Sequence, residues 1–187
     1  MRSCPLLLLL LLAACAPTSP QLVGDASLDS HEVHSRPAAL CSRCHSNDSS
    51  ATALRNSEGD PIAPFDLWQG TMMANSSRDP LWRAMVSAEI ALRPKARAAI
   101  EEKCLTCHAP TAAADVRQHG GTLSFASLDS PRLAAVARDG VNCTICHVIA
   151  PDDLGKKKSF SGGWTIDHSR RAYGPHATPF RMPMFPQ

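Results

Sequence analysis

Three observations predict a mainly α-helical chain with much irregular loop. The pentad Cys-x-x-Cys-His occurs three times, as Cys41-Ser42-Arg43-Cys44-His45, Cys104-Leu105-Thr106-Cys107-His108 and Cys143-Thr144-Ile145-Cys146-His147. Helix-start signals, Asp79-Pro80 and Ser130-Pro131, stand ahead of the second and third pentads. Aromatic residues are scarce: 187 residues hold five Phe, three Trp and one Tyr against 15 Pro and 10 Gly. Such a polypeptide is poorly equipped to build a large packed core from its own side chains.

The pentads say what fills that gap. Cys-x-x-Cys-His is the attachment signature of c-type haem, in which both sulfurs bond to the porphyrin edge and the histidine becomes an axial ligand of the iron. Two intervening residues let one turn of backbone present both sulfurs to one edge, and the adjacent histidine stands over the face. With Cys and His at 8 positions each, a random chain of this length would contain about 0.015 such pentads. Three therefore predict three covalently attached haems, bound through Cys41, Cys44, Cys104, Cys107, Cys143 and Cys146, with His45, His108 and His147 on iron. Folding is expected to be coupled to cofactor attachment.

Zinc sites and disulfide frameworks also use paired cysteines. A zinc ribbon spaces its two pairs some 15 to 20 residues apart, whereas 59 residues separate Cys44 from Cys104 and 35 separate Cys107 from Cys143. Neither alternative has a reason to put His after every second cysteine.

At the N-terminus, Arg2, the run Leu6 to Leu12 and the small residues Ala13-Ala14 read as an export signal. The run is too short to span a bilayer. Leu12-Ala13-Ala14-Cys15 looks like a lipobox, so residues 1–14 are expected to be cleaved and Cys15 acylated. That assignment uses every cysteine, because Cys4 leaves with the signal and the other six pair on three haems. Export suits the chemistry, since c-type haem is attached outside the cytoplasm in bacteria. Ala16 after the anchor resembles lipoproteins sorted to the outer membrane. Residues 15–30, rich in Pro, Ser and Thr, read as a flexible tether. Residues 31–178 form the expected triheme domain and 179–187 an irregular tail.

Within that domain, His31 and His34 precede the first pentad and are candidates for a second axial ligand, His34 ahead. Residues 46–60 read as a polar loop, and residues 61–64 are broken by Pro61 and Pro64. Asp79 caps a helix that Pro80 opens; Leu81, Trp82, Met85, Val86 and Ile90 make its apolar face, and it ends ahead of Pro94. Pro94 starts a second helix running into Cys104. Ser130 caps and Pro131 opens a third, which Gly140 terminates. Residues 120–127 are expected to be an irregular loop or short strand. His119, His168 and His176 are further candidate distal ligands, His176 favoured over His168 because Gly174-Pro175 sets a turn before it. Lys156-Lys157-Lys158 reads as a solvated loop, with a docking patch for an acidic partner as the alternative. A formal charge of +2 makes no case for nucleic acid.

Taken with Trp68-Gln69-Gly70-Thr71-Met72-Met73-Ala74, Cys104 to Pro110 and Asp139 to His147, the chain resembles multihaem c-type cytochromes related to bacterial tetrahaem cytochromes and hydroxylamine oxidoreductase, over about residues 37–176. The resemblance implies a small multihaem cytochrome c fold organised around covalently bound haems. In many relatives a distal His follows the Trp-x-x-Ser/Thr segment by two residues; Met73 stands there, which implies a thioether ligand and one His/Met haem of higher potential. Similar proteins often carry a further pentad after the Gly-Pro-His segment, so this chain is expected to be a shortened relative or a truncated product.

The expected function is that of an exported, lipid-anchored triheme cytochrome passing single electrons between redox proteins in the periplasm or at the cell surface. The rival is an oxidoreductase with one open haem acting on a small nitrogen or sulfur compound. Against it, five non-motif histidines and several methionines are available to cap three irons, and no separate acid/base cluster stands out. A third reading is a haem-bearing accessory subunit of a larger complex.

Overall fold

The computed structural model describes residues 36–169 and 172–176. The proposed signal, the anchor Cys15, the tether, His31, His34 and residues 177–187 lie outside them. The described residues belong to one unit, which is helical with irregular connections and contains no strand beyond two isolated bridges, Arg55 to Pro61 and Ile149 to Ile166. Among the described residues no helix is long and apolar enough to cross a membrane.

The frame is a run of helices in the middle of the chain. Helix α4 (Pro80–Leu92), following the short helices α1 (Ser42–His45), α2 (Pro64–Gln69) and α3 (Met72–Asn75), starts where the sequence says it should. Asp79 Oδ1 accepts from the main-chain N–H of Leu81 (2.8 Å) and Trp82 (3.2 Å), and Pro80 fills the first helical position, where no N–H is needed. Pro94–Ala96 forms a 3-10 turn before α5 (Arg97–His108) begins, so the proline opens the turn rather than the helix itself. Pro110 opens α6 (Pro110–Gln118).

These helices close on a core made largely of small residues. Leu105, Ala109, Ala112, Ala113, Val136 and Ala137 are buried together with Leu123, Leu128 and Leu133, and Trp82, Val116 and Phe125 pack on them half-buried. The largest fully buried side chains are Leu105, Asn142 and Thr111. The apolar face expected on α4 is only half used: Val86 and Ile90 are buried, while Leu81 is 71 % and Met85 64 % exposed.

Two expectations change. Ser130 and Pro131 open a turn, and the helix they were to start, α7, spans only Ala134–Arg138; Ser130 receives the N–H of Ala134 through its main-chain carbonyl (2.9 Å). Helices α2 and α3 were not expected at all. At six and four residues they are too short to show a period, although Pro64 at the start of α2 and Thr71, whose Oγ1 accepts from Ala74 N, are ordinary start signals. Residues 120–127 are irregular, with a 3-10 turn at Phe125–Ser127. In the basic run, Lys156 pairs with Asp153 at 3.4 Å and Lys158 pairs with the same carboxylate, so two of its three lysines share one counter-charge at an exposed loop.

Candidate haem-attachment sites

Each pentad sits on a helix, and each helix is held differently. The second motif occupies the last turn of α5, with the residues between its cysteines turned inward: Leu105 is fully buried and Thr106 nearly so. Cys104 is half-buried and Cys107 exposed. His108 stacks on Trp82 of α4, ring centroids 4.0 Å apart and planes 6° from parallel. Its Nδ1 lies 2.9 Å from the carbonyl of Ser76. A carbonyl only accepts, so Nδ1 carries the proton and Nε2 keeps the lone pair a metal requires.

The third motif forms α8 (Cys143–Val148). Asn142 caps it, its Oδ1 accepting from Ile145 N (3.2 Å) and from Thr111 Oγ1 (2.7 Å) while Nδ2 donates to the Arg36 carbonyl (3.0 Å). This residue is buried, so every one of those bonds replaces lost water. His147 is exposed, and its Nδ1 meets the Tyr173 carbonyl at 2.6 Å, with Tyr173 N returning a bond to the His147 carbonyl. Again the contact leaves the lone pair on Nε2. The C-terminal segment therefore folds back on this motif, aided by Asp167 N to Val148 O (2.8 Å).

The first motif rides on α1, a single turn with no buried residue and no side-chain cap. What ties it down is the third motif. The Cys41 thiol hydrogen-bonds with that of Cys143, which draws Cys41 down to about 7 and pushes Cys143 upward, burial raising both. Cys104 is raised as well, by burial first and then by Cys107 and Glu89. Asp139 receives the N–H of Ala38 (2.6 Å), fixing the chain just ahead of Cys41.

Between the second and third motifs runs the stretch Trp68 to Ser76. Trp68 Nε1 donates to Val141 O (2.8 Å), Val141 N donates to Met73 O (2.9 Å), and Ser76 Oγ donates to His108 O (3.0 Å). Gly140 makes this docking possible. At φ +60° it takes a conformation other residues avoid, and a Cβ there would lie 2.4 Å from the Met73 carbonyl. Met73 is thereby brought next to the third motif with its side chain half exposed.

The remaining predicted ligands are scattered. His119, at the end of α6, is exposed with Nδ1 at 2.8 Å from the Asp115 carbonyl, the same arrangement as His108 and His147. His168 and His176 are exposed on the C-terminal segment. Among the described residues no three His, Cys, Asp or Glu side chains converge as a metal-binding group. None of the six motif cysteines is joined in a disulfide, and one of each pair is exposed. Paired cysteines beside an imidazole, with Nε2 left to bind at His108 and His147, are the donor set c-type haem requires, so the residues fit the group; bound there, it supplies a one-electron iron couple.

Sequence reasoning missed Trp82 as the partner of His108, and Asn142 as the hub joining α6, α8 and the chain before Cys41. Both left a signal. Trp82 is three residues past a cap, on the face that meets α5, and Asn immediately before a helix is a preferred cap. The Cys41–Cys143 contact left none.

Residues 40–148 match a protein family described as cytochrome c554 and c-prime. Searches of curated proteins and of solved structures return no match.

Proposed function

From the premise that this chain belongs to the cytochrome c554 and c-prime family, and is thus an electron-transfer protein with covalently bound c-type haem, we propose that it carries three haems and works as an exported, lipid-anchored relay of single electrons between redox proteins. The observation that carries this reading is the placement of the Cys41 and Cys143 side chains next to each other. Two attachment sites that share a sulfur contact would hold two prosthetic groups as neighbours, which suits electron passage and has no purpose in an isolated binding site.

The roles follow the chemistry of the side chains. The six motif cysteines anchor the groups, and His45, His108 and His147 are the proximal ligands. Ser76 and Tyr173, through their carbonyls, hold the proton of His108 and His147 on Nδ1 and so keep each Nε2 basic and oriented. Distal ligands are drawn from His34, Met73, His119, His168 and His176. His119 has the support of the same Nδ1 contact, and Met73 that of its position beside Val141. Cys15 supplies the lipid that keeps the carrier at the membrane facing the periplasm or cell surface.

The test is intact mass and potentiometry on protein isolated from the membrane fraction of a host competent in c-type haem maturation. The expected mass is the chain from Cys15 plus lipid plus three haems, with three one-electron steps and low-spin spectra. Free motif thiols or fewer haems would remove the three-haem reading. A high-spin ferric signal that shifts with cyanide or nitrite would move the function to the open-haem oxidoreductase.

A further inference from the structure

Helix α4 is apolar on two sides. Val86 and Ile90 are buried and Trp82 packs half-buried beside them, which accounts for one side. On the other, Leu81, Ala84, Met85, Ala88, Ala91 and Leu92 are all exposed, Leu92 at 77 %. At 3.6 residues per turn these six share one arc about 120° wide. The charged residues of the helix, Arg83 and Glu89, and its one serine, Ser87, fall outside that arc. An outward face of a helix ordinarily carries its polar residues, and a continuous apolar face marks a surface that something covers.

The second observation is what borders that face. Helix α5 packs on α4, and the two contacts that place the second motif fall on one flank of α4. His108 stacks on Trp82 with ring centroids 4.0 Å apart. Glu89, after burial and Cys107, adds to the upward push on the Cys104 thiol, so that thiol stands near it. Around the helix axis Trp82 and Glu89 are neighbours, and Met85, three residues from one and four from the other, comes next. The apolar arc begins where the attachment motif leaves off.

We infer that the exposed arc of α4 is the wall against which the haem of the second motif lies, Met85 first, then Leu81, Ala88 and Leu92. The inference rests on the three-haem reading only at Cys104, Cys107 and His108. A porphyrin is a broad apolar disc tied to α5 through those residues, and the nearest uncovered apolar surface is this one. Ala84, Ala88 and Ala91 keep the surface low between Leu81, Met85 and Leu92, which is the relief a flat ring requires. Covering the face removes six apolar side chains from water and withdraws solvent from the iron. Withdrawal of solvent disfavours the more highly charged ferric state, so the wall raises the potential of this haem.

The test uses the full haem-loaded protein, isotope-labelled at its methionine methyl groups and followed by NMR through a redox titration. Met85→Leu identifies the Met85 signal by its loss. In the reduced protein that signal is expected away from the position of free methionine, displaced by the porphyrin ring current, and it should move again on oxidation with the midpoint of a single haem. Met85→Glu places a carboxylate on the wall and should lower that same midpoint, leaving the others and the haem count unchanged. A Met85 signal that ignores oxidation would overturn the inference, as would a Met85→Glu protein with every midpoint in place. Sedimentation showing a dimer that Met85→Glu dissociates without moving a midpoint would also overturn it, because a second copy would then be the cover. If Met85→Glu does not fold, the oxidation response of the Met85 signal decides alone. Mass analysis of the proteolytic peptide containing Cys104 and Cys107 keeps the two failures apart. A peptide without haem removes the three-haem reading and this inference with it, whereas a haem-bearing peptide with a silent Met85 removes the inference only.

Discussion

The first and second motifs share a pentad but differ in the two residues inside it. In the second, Leu105 and Thr106 face the core, so the motif is one end of a twelve-residue helix whose packing holds it. In the first, Ser42 and Arg43 face outward on a single turn, and order comes from outside: the Cys143 thiol, and Asp139 receiving the Ala38 N–H. The third motif lies between, with Ile145 buried and Thr144 reaching the Arg36 carbonyl at 2.8 Å. The inner pair of the pentad, which haem chemistry leaves free, decides whether a site is held by the polypeptide or by its neighbours.

Five substitutions sharpen that contrast. Leu105→Ala removes a fully buried side chain from the cluster around α5 and α6 and should cost roughly 3 kcal/mol of unfolding free energy. The equivalent change at the first motif, Ser42→Ala, loses only an exposed bond to Ala39 O and should cost under about 0.5 kcal/mol. Urea denaturation of the haem-loaded variants reads both, and similar losses would break the distinction.

Asn142→Ala strips the cap of α8, takes the acceptor from Thr111 Oγ1 and leaves the Arg36 carbonyl held by Thr144 alone; roughly 2 kcal/mol is expected. Because Arg36 leads into the first motif, hydrogen exchange should accelerate around Cys41 to His45 while Cys104 to His108 stays protected. Equal acceleration in both would show that the first motif does not depend on the third.

Asp79→Ala removes the cap of α4 and should cost about 1 kcal/mol. That helix carries Trp82, so under the three-haem proposal the low-spin signal of a haem at His108 would be the one to watch; a shift in another haem with none there would contradict the assignment of Trp82.

The smallest effect concerns pH. Burial raises the Asp139 carboxyl above its ordinary range, against the hydrogen bonds from Ala38 and Asn142. A raised acid is favoured in its protonated form in the folded state, so its contribution is fully present below the ordinary carboxylate range and is lost as pH rises through the raised value. Asp139→Asn should flatten thermal stability across that window. An unchanged pH profile would remove Asp139 from the account of how the first motif is held.

Much of this was legible in the chain itself. The pentads name the cofactor because two thiols and an imidazole at that spacing suit little else, and Asp79-Pro80 marks a helix start because capping is local chemistry. The small-residue core also follows directly from composition. The short helices α2 and α3 escaped because a period needs more than one or two turns to register. The turn at Ser130 escaped because a cap and a proline permit a helix without requiring one.

What only the tertiary structure decided is which distant residues meet. Cys41 and Cys143, and Trp82 and His108, are brought together by helix packing and by the close approach that Gly140 allows to Met73. Local sequence encodes the chemistry each group can perform. Adjacency depends on how rigid helices close on a shared core, and no spacing along the chain records that closure.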